Sequence, residues 1–369
     1  MYINFIIFPF IILLGLFLTN DNDKNRKLYI IIVLLILSLE SALRSLFLVA
    51  DTYSYYEMFT QRVPDMTWND LWIGFKNRYF GQIEEDFDFG FYFLQKCLGY
   101  ITHSFQVFTF LSQLLFYIPL GLFLYKYSTN IRQLIFAFVF YVALLHVSAL
   151  GGGRQLLARG CWIMAFMLIN ERKYYKGALW LLLGATFHYS VLIVVIAVAL
   201  GFLKVKQLKT VHLMAFLLLP LMILFSREFI MLLGSLAGSE RYASYGEHEV
   251  VGGATTFVVL MIILSLFCYI MLNRKILDSN YYKRKLYAML PCLTIFSPLI
   301  IHDGVMIRLS SYFHLFIMLL VPFAIEELKD RKTVIAVYTL MIGALLFLAL
   351  KDGGLEYYFF WQDVGFGFH

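Results

Sequence analysis

Long apolar runs alternate with short polar loops along the chain. A helix of roughly 20 apolar residues crosses the hydrocarbon core of a bilayer, and runs near that length occur here about ten times. They lie at residues 2–18, 28–49, 104–125, 131–150, 154–169, 211–225, 255–272, 286–300, 305–325 and 334–350. The pattern therefore predicts an all-α polytopic membrane protein with about ten transmembrane helices.

Composition supports the same class of protein. Of 369 residues, 61% are hydrophobic and 15% are charged, and the mean hydropathy is +0.76. Soluble domains have about 45–50% apolar and about 25% charged residues. We therefore expect residues 1–369 to form a single integral membrane domain that is surrounded by the lipid bilayer.

The loops between the apolar runs differ in charge. Basic residues fall mainly in alternate loops, for example at 24–27, 172–176 and 274–285, and such loops normally lie in the cytoplasm. The loops between them are acidic or small, and the longest of these, 51–88, is rich in Asp and Glu. This alternation places both termini and the acidic loops outside.

One segment, 177–203, lies between two basic loops and must therefore leave the cytoplasm and return. Two helices of about 13 residues reach only about 20 Å each, which is too short to cross. We predict a re-entrant helical hairpin with its tip near His188, because irregular backbone at that depth is tolerated only where it is buried in protein or lines a cavity. The alternative is that segment 177–203 crosses the membrane once, so that the two basic loops beside it lie on opposite sides.

Two outer segments are distinctive, 51–103 and 237–254. The first contains Trp68 and Trp72 among many Phe and Tyr residues, and the run around Asp70 is amphipathic enough to lie on the membrane interface. Aromatic walls with carboxylates also suit carbohydrate, whose C–H faces stack on rings while its hydroxyls bond to acids. A simple interfacial anchor remains the alternative.

Three arginines are predicted to lie on different spans at the outer level: Arg44, Arg154 and Arg308. A guanidinium stays charged at bilayer depth and therefore normally faces a cavity or a partner. Its planar fork suits a diphosphate, so these residues form a candidate anion site. For Arg44 there is an alternative, because Glu40 lies four residues earlier on the same predicted helix face and can neutralise it.

Short motifs in the first half of the chain resemble a known family. Arg44 followed by Asp51-Thr-Tyr-Ser-Tyr-Tyr is similar to the early "R…D-x-x-Y" signature of the EpsG family of Wzy-like exopolysaccharide and O-antigen polymerases. Arg154-Gln-Leu-Leu-Ala resembles the R-Q-x-x-A start of a later helix in that family.

Further motifs follow in the same order as in the family. Phe187-His-Tyr-Ser resembles F-H-x-S, and Arg241-Tyr-Ala-Ser-Tyr-Gly resembles a tyrosine-rich outer loop. Arg308-Leu-Ser-Ser-Tyr-Phe resembles a late R-x-x-x-Y-F motif. The resemblance covers residues 43–326 and rests on five short motifs on a matching number of spans.

The resemblance implies a GT-C-like fold and a polymerase on the outer, periplasmic side of a bacterial cytoplasmic membrane. Such an enzyme joins oligosaccharide repeat units that are carried on undecaprenyl diphosphate, without a cofactor and without nucleic acid. A membrane-anchored chain-length regulator is an expected partner. The motifs place the diphosphate at Arg154, Arg308 and Arg44, and the glycan at three tyrosines, Tyr55, Tyr245 and Tyr312.

The reaction needs a base to take the proton of the acceptor hydroxyl. His188, at the predicted hairpin tip, and Asp51 are the candidates, and His146, His302 and Asp303 are the next choices. A packed or hydrogen-bonded core role is the alternative for His188. The four cysteines show no metal-ligand spacing, so no metal site is predicted.

Other functions remain open. A lipid-linked oligosaccharide flippase or another transporter also needs a cationic cavity, although such proteins commonly show repeats that this sequence lacks. A glycan ligase shares the lipid diphosphate site. A metal-dependent glycosyltransferase adds outward acids, for which the stretch 84–88 is the candidate.

Overall fold

The computed structural model describes residues 3–18, 22–81, 87–236, 254–351 and 356–362. Nearly all of these residues are helical, and the β structure named among them is an isolated antiparallel bridge between Arg44 and Phe359. The all-α polytopic class predicted from the sequence is thereby confirmed.

Six helices within the described residues are long and apolar enough to cross a membrane. They are Phe105–Tyr127, Ile131–Gly151, Val205–Leu224, Tyr281–His302, Gly304–Glu326 and Arg331–Leu350. The other predicted spans coincide with shorter or more polar helices, namely Asn4–Phe17, Asp23–Leu43, Gly153–Asn170 and Thr255–Met271. The protein is therefore a multi-pass membrane protein, and the apolar runs mark its main helices.

The chain divides into two compact units, Met1–Leu192 with Ala344–His369, and Ile193–Gly343. In the first unit the helices are α1 (Asn4–Phe17), α2 (Asp23–Leu43), α3 (Ala50–Glu57), α4 (Val63–Asp65), α5 (Trp68–Phe80), α6 (Phe89–Gly99), α7 (Phe105–Tyr127), α8 (Ile131–Phe140), α9 (His146–Gly151), α10 (Gly153–Asn170) and α11 (Tyr174–Phe187). A π-helical turn, Met58–Arg62, joins α3 to α4, and another, Tyr141–Leu145, joins α8 to α9.

The core of the first unit lies where α10 packs on both α7 and α11, and where α7 packs on α2. Trp162 of α10 is fully buried and meets Phe166 in an edge-to-face contact, with 5.7 Å between the ring centroids. Phe116 and Phe123 of α7 are equally buried. Phe166 also meets Phe123 of α7 edge-to-face, with 6.1 Å between the ring centroids, and this contact holds α10 against α7.

The predicted outer segment 51–103 forms helices α3 to α6. α5 begins with a capping box, in which the Thr67 side chain accepts from the Asp70 N–H and the Asp70 carboxylate accepts from the Thr67 N–H. The backbone N–H of Thr67, followed by its hydroxyl, lowers the pKa of Asp70. Val63, Leu71, Phe87 and Tyr92 form a small buried core beneath these helices.

The end of α2 is held by the segment 356–362. The Ser45 N–H donates to Tyr358 O at 2.7 Å, and the Phe360 N–H donates to Leu43 O at 2.9 Å. The Tyr357 hydroxyl donates to the carbonyl of Glu40 at 2.5 Å. α2 ends at Leu43, earlier than the span 28–49 predicted from the apolar run, because these backbone bonds replace the next helical turn.

The second unit has its own core. Its helices are α12 (Val194–Leu200), α13 (Val205–Leu224), α14 (Ser226–Leu236), α15 (Thr255–Met271), α16 (Arg274–Ser279), α17 (Tyr281–Tyr287), α18 (Leu290–Phe296), α19 (Leu299–His302) and α20 (Ile307–Glu326). His212 is fully buried among them and lies 2.6 Å from the Tyr287 hydroxyl and 2.9 Å from Ser265 Oγ. This polar network links α13, α15 and α17. The last long helix is α21 (Arg331–Leu350). Its residues up to Gly343 belong to the second unit, and its residues from Ala344 belong to the first.

Candidate active site

A polar cluster in the first unit centres on Asp88. One oxygen of its carboxylate, Oδ2, accepts a hydrogen bond from Nη1 of Arg154 at 2.9 Å. The same oxygen lies 3.4 Å from Nδ1 of His188. Asp88 is buried, whereas the side chains of Arg154 and His188 keep 16% and 14% of their surface exposed. The cluster is therefore a carboxylate held between a cation and an imidazole at a partly open position.

Three helix ends bring these side chains together. Asp88 immediately precedes α6, Arg154 lies in the first turn of α10, and His188 follows the last residue of α11. His188 has an extended backbone, with φ −163° and ψ 113°, so the helix breaks at this residue. The helix break predicted at His188 is confirmed. The re-entrant path of 177–203 across the membrane stays a prediction.

The approach of α6 to α11 depends on a glycine. A Cβ atom added at Gly90 would lie 2.9 Å from the carbonyl carbon of Thr186, closer than real Cβ contacts. Gly90 follows Asp88 by two residues, and Thr186 precedes His188 by two. The absence of a side chain at Gly90 therefore allows the acid and the imidazole to approach.

Two tyrosines lie beside the cluster. The guanidinium carbon of Arg154 stands 6.0 Å from the ring centroid of Tyr55, which is buried and packs edge-to-face on Phe91 at 5.1 Å. The Tyr79 hydroxyl donates to Ala185 O at 3.3 Å and so ties α5 to the end of α11. Burial, with a smaller contribution from the negative charge of Asp88, raises the pKa of Tyr79 to about 12. Tyr79 therefore stays a protonated donor at neutral pH.

Arg44 occupies a different environment. Its side chain is buried and donates to Ser41 Oγ at 2.8 Å, to the Ser41 carbonyl, to Leu150 O at 2.9 Å and to Thr52 Oγ1 at 3.4 Å. These bonds join the end of α2 to α3 and α9. The contacts of Arg44 are thus those of a tie between helices, and its role at a diphosphate stays a prediction.

Glu40 pairs with His146 instead of closing on Arg44. Glu40 Oε2 lies 2.6 Å from His146 Nε2, and both side chains are buried. Arg44 lies outside α2 with an extended ψ of 153°, so the helical i, i+4 spacing to Glu40 does not apply. Glu40 is thus hydrogen-bonded to His146, while its negative charge still acts favourably on the Arg44 guanidinium.

The remaining predicted site residues lie elsewhere. Asp51 is half-buried in the first turn of α3, one turn before Tyr55. In the second unit Arg308 is half-buried, whereas Tyr312, His302 and Asp303 are buried. Tyr245 lies outside the described residues. The structure brings together Arg154, His188 and Tyr55 from the predicted set.

Asp88 is not among the site residues that the sequence predicts. It belongs to the acidic stretch 84–88, yet it stands among Phe87, Phe89 and Phe91, where an acid needs a partner. An acid placed among aromatic residues is the feature of the sequence that could have identified Asp88. No group of three or more His, Cys, Asp or Glu side chains with metal-ligand geometry occurs among the described residues, and residues 84–86 lie outside them.

Comparison with known proteins identifies the family. No curated protein and no solved structure matches the chain. The sequence does match the EpsG family over residues 27–362, which is nearly the whole chain. The protein therefore belongs to the EpsG family, a family of Wzy-like polymerases.

Proposed function

We propose that this protein joins oligosaccharide repeat units, carried on undecaprenyl diphosphate, at the outer face of the bacterial cytoplasmic membrane. Membership of a polymerase family supports a role in polysaccharide biosynthesis with a lipid-linked sugar substrate. The basic loops at 24–27 and 274–285 support the orientation, because such loops stay in the cytoplasm. If the polymer has a defined length, a chain-length regulator in the same membrane is the protein partner that this function would require.

One observation carries the mechanism, namely that Asp88 Oδ2 contacts both Arg154 and His188. A carboxylate can only accept from Nδ1, so its bond leaves Nε2 of His188 as the basic nitrogen. The separation of 3.4 Å is long, and catalytic hydrogen bonds commonly tighten when substrate binds. Asp88 thus orients His188 as a general base and stabilises the imidazolium that forms.

In the proposed step, the acceptor hydroxyl gives its proton to Nε2 of His188, and its oxygen bonds to the anomeric carbon of the donor glycan. The bond from that carbon to the diphosphate oxygen breaks, and the electron pair leaves with the lipid diphosphate. Arg154 stabilises the charge that develops on this leaving group. A guanidinium presents its N–H donors as a planar fork that matches the oxygens of a diphosphate.

The other predicted residues take supporting roles in this proposal. Arg44, which follows α2, donates to the carbonyl of Leu150 in α9, three residues before α10 begins at Gly153. Arg308 remains a second guanidinium for the diphosphate, and Tyr55, Tyr245 and Tyr312 remain glycan contacts, as the family motifs indicate. Asp51 is the alternative base.

The test uses purified full-length protein in lipid discs with a polyprenyl-diphosphate-linked repeat unit as donor and acceptor. We expect a ladder of polymers, with one free lipid diphosphate released for each new linkage. Movement of the lipid-linked unit across a bilayer without any ladder would instead identify a transporter. Transfer of the glycan only to a different acceptor lipid would identify a ligase.

A further inference from the structure

A cavity opens beside the C-terminal half of α6, whereas Asp88 immediately precedes the first residue of that helix. Its volume is about 340 Å³, within the range of small-molecule sites of about 300–1,000 Å³. The wall combines aromatic rings with polar groups. Among the residues that line it are Phe59, Thr60, Gln95, Gly99, Tyr100 and His103.

The position of the cavity relates it to the candidate active site. Gln95 follows Asp88 by seven residues, so it projects from nearly the same side of α6 and lies about 10.5 Å further along the axis. A chain of sugars whose first ring lies at Asp88 would therefore reach the cavity with a later ring. α6 itself forms the connection between the two places.

The chemistry of the wall suits a sugar ring. Tyr100 is 72% exposed and stacks on Trp68, with 6.4 Å between the ring centroids and 15° between the ring planes. Thr60 donates its hydroxyl to Tyr56 O at 2.8 Å, which leaves Thr60 Oγ1 as an acceptor. Aromatic faces beside a few polar groups form the usual lining of a specific small-molecule site.

A buried amide in the wall lacks a hydrogen-bond partner. The Gln95 side chain is fully buried, and neither its nitrogen nor its oxygen is hydrogen-bonded within the described residues. Leaving a buried polar group unpaired is unfavourable. After a rotation of the Gln95 side chain, a sugar hydroxyl in the cavity can both donate to and accept from this amide.

The lysine in the wall has its hydrogen-bond donors taken up by backbone carbonyls. Lys96 Nζ donates to Val63 O at 3.1 Å, to Pro64 O at 3.2 Å and to the Met66 carbonyl, which accounts for its three N–H donors. Among the described residues that line the cavity there is no carboxylate. The Gln95 amide and the Thr60 hydroxyl remain as donors and acceptors, and these match the hydroxyls of a sugar.

We infer that this cavity, which we call the α6 cavity, is a glycan subsite that binds a sugar of the lipid-linked oligosaccharide beyond the reacting one. This inference rests on the proposed function and assigns a distal contact to the same substrate. It also gives the aromatic outer segment 51–103 a role beyond membrane anchoring. A phospholipid chain in the cavity is the competing occupant, and the test distinguishes it.

Gly99 offers a way to block the cavity without disturbing the fold. It ends α6 and lines the cavity, and a Cβ added there would meet no atom within 4 Å. Gly99→Phe therefore places a ring in open space. Tyr100→Ala removes an exposed side chain and so carries little folding cost. The matched control is Tyr175→Ala, since Tyr175 is 76% exposed in the same unit.

The experiment measures binding, independently of polymerisation. The probe is the oligosaccharide released by mild acid from the host's own lipid-linked repeat unit, titrated against full-length protein in lipid discs. We expect Tyr100→Ala to weaken binding by about tenfold because it removes one aromatic contact, and Gly99→Phe to weaken it by at least as much because the new ring occupies the cavity. Tyr175→Ala should bind as the wild type does.

The outcomes separate this inference from the proposed function. If Gly99→Phe and Tyr100→Ala bind the oligosaccharide as tightly as the wild type, the α6 cavity is not a glycan subsite, even if polymerisation depends on His188. If the wild type binds no oligosaccharide and Gly99→Phe only displaces co-purified phospholipid, the cavity belongs to a lipid. If binding depends on Tyr100 but no polymer ladder forms, the subsite stands and the polymerase proposal fails.

Discussion

Asp88 and Arg154 form an ion pair of 2.9 Å across 66 residues of sequence, with the carboxylate buried and the guanidinium partly exposed. Removing one partner of a buried pair typically costs about 3–5 kcal/mol, because the other charge is left uncompensated. The pair therefore contributes to the position of α6 against α10. The same carboxylate oxygen faces His188, so one acid links a structural contact to the proposed base.

The first prediction concerns Asp88. Asp88→Asn keeps the shape of the side chain but removes the charge that stabilises an imidazolium, so polymer formation should fall by on the order of 10²-fold or more. The measurement is polymer formed per inserted enzyme molecule, which separates rate from protein level. Asp65→Asn, an exposed acid of the same outer segment, is the control and should behave as the wild type. Normal turnover of Asp88→Asn would remove Asp88 from the mechanism.

The second prediction concerns His188. His188→Ala should lower polymer formation by about 10²- to 10⁴-fold, because no other group would take the acceptor proton at that position. The protein should still insert and still bind the lipid diphosphate, since Arg154 and Asp88 remain paired. His188→Gln keeps hydrogen bonding without basicity and should be equally inactive. A His188→Gln enzyme with a normal rate would return His188 to a packing role and make Asp51 the favoured base.

The third prediction concerns the helix contact at Gly90. Gly90→Ala forces α6 away from Thr186, and overpacking of this kind costs about 1–3 kcal/mol. Asp88 and His188 should separate, and a displacement of about 1 Å at reacting groups can cost about 10²-fold in rate. Polymer formed per inserted molecule measures this. Gly343→Ala is the control, because a Cβ there meets no atom within 4 Å. Equal rates for the two variants would show that this contact does not set the geometry of the site.

Much of the fold could be predicted because hydrophobic periodicity is a local signal. The apolar runs identified the main helices, and the polar sequence around His188 identified the break after Phe187. Helix ends were less predictable. α2 stops at Leu43 because the segment 356–362 takes its backbone hydrogen bonds, and that contact joins residues more than 300 positions apart.

The site was only partly predictable, because its residues come from distant parts of the chain. Arg154 and His188 stood out as charged or polar residues in apolar surroundings. The acid between them, Asp88, was hidden in an acidic stretch, and only the approach of α6 to α10 and α11 reveals its partners. The Glu40–His146 pair likewise joins two helices, so the spacing of Glu40 and Arg44 along the chain could not predict it.

The fourth prediction concerns divalent metal ions. The sequence shows no metal-ligand spacing, and the proposed step uses Arg154 to stabilise the leaving diphosphate. Polymer formation by the purified protein should therefore continue at the same rate in the presence of EDTA. Complete loss of polymer with EDTA, followed by recovery with Mn²⁺ or Mg²⁺, would contradict this and would direct attention to the acidic stretch 84–88.

The fifth prediction concerns the arginines. If Arg154 and Arg308 each hold the diphosphate by forked hydrogen bonds, Arg→Lys at either position keeps the charge but loses the second bond. Loss of one such contact in a preorganised site typically costs about 2.7–4 kcal/mol, or about 10²- to 10³-fold in rate, and alanine should cost more than lysine. The measurement is again polymer formed per inserted molecule.

The alternative for these arginines is a purely structural role, and it predicts a different result. A lysine at position 154 can still pair with Asp88. A purely structural role of Arg154 therefore predicts, at most, a lower amount of inserted protein. The molecules that do insert should have normal activity. A catalytic role predicts normal insertion with a slow reaction, because the ammonium cannot present two parallel donors to the diphosphate. Near wild-type turnover in both Arg154→Lys and Arg308→Lys would overturn the diphosphate assignment.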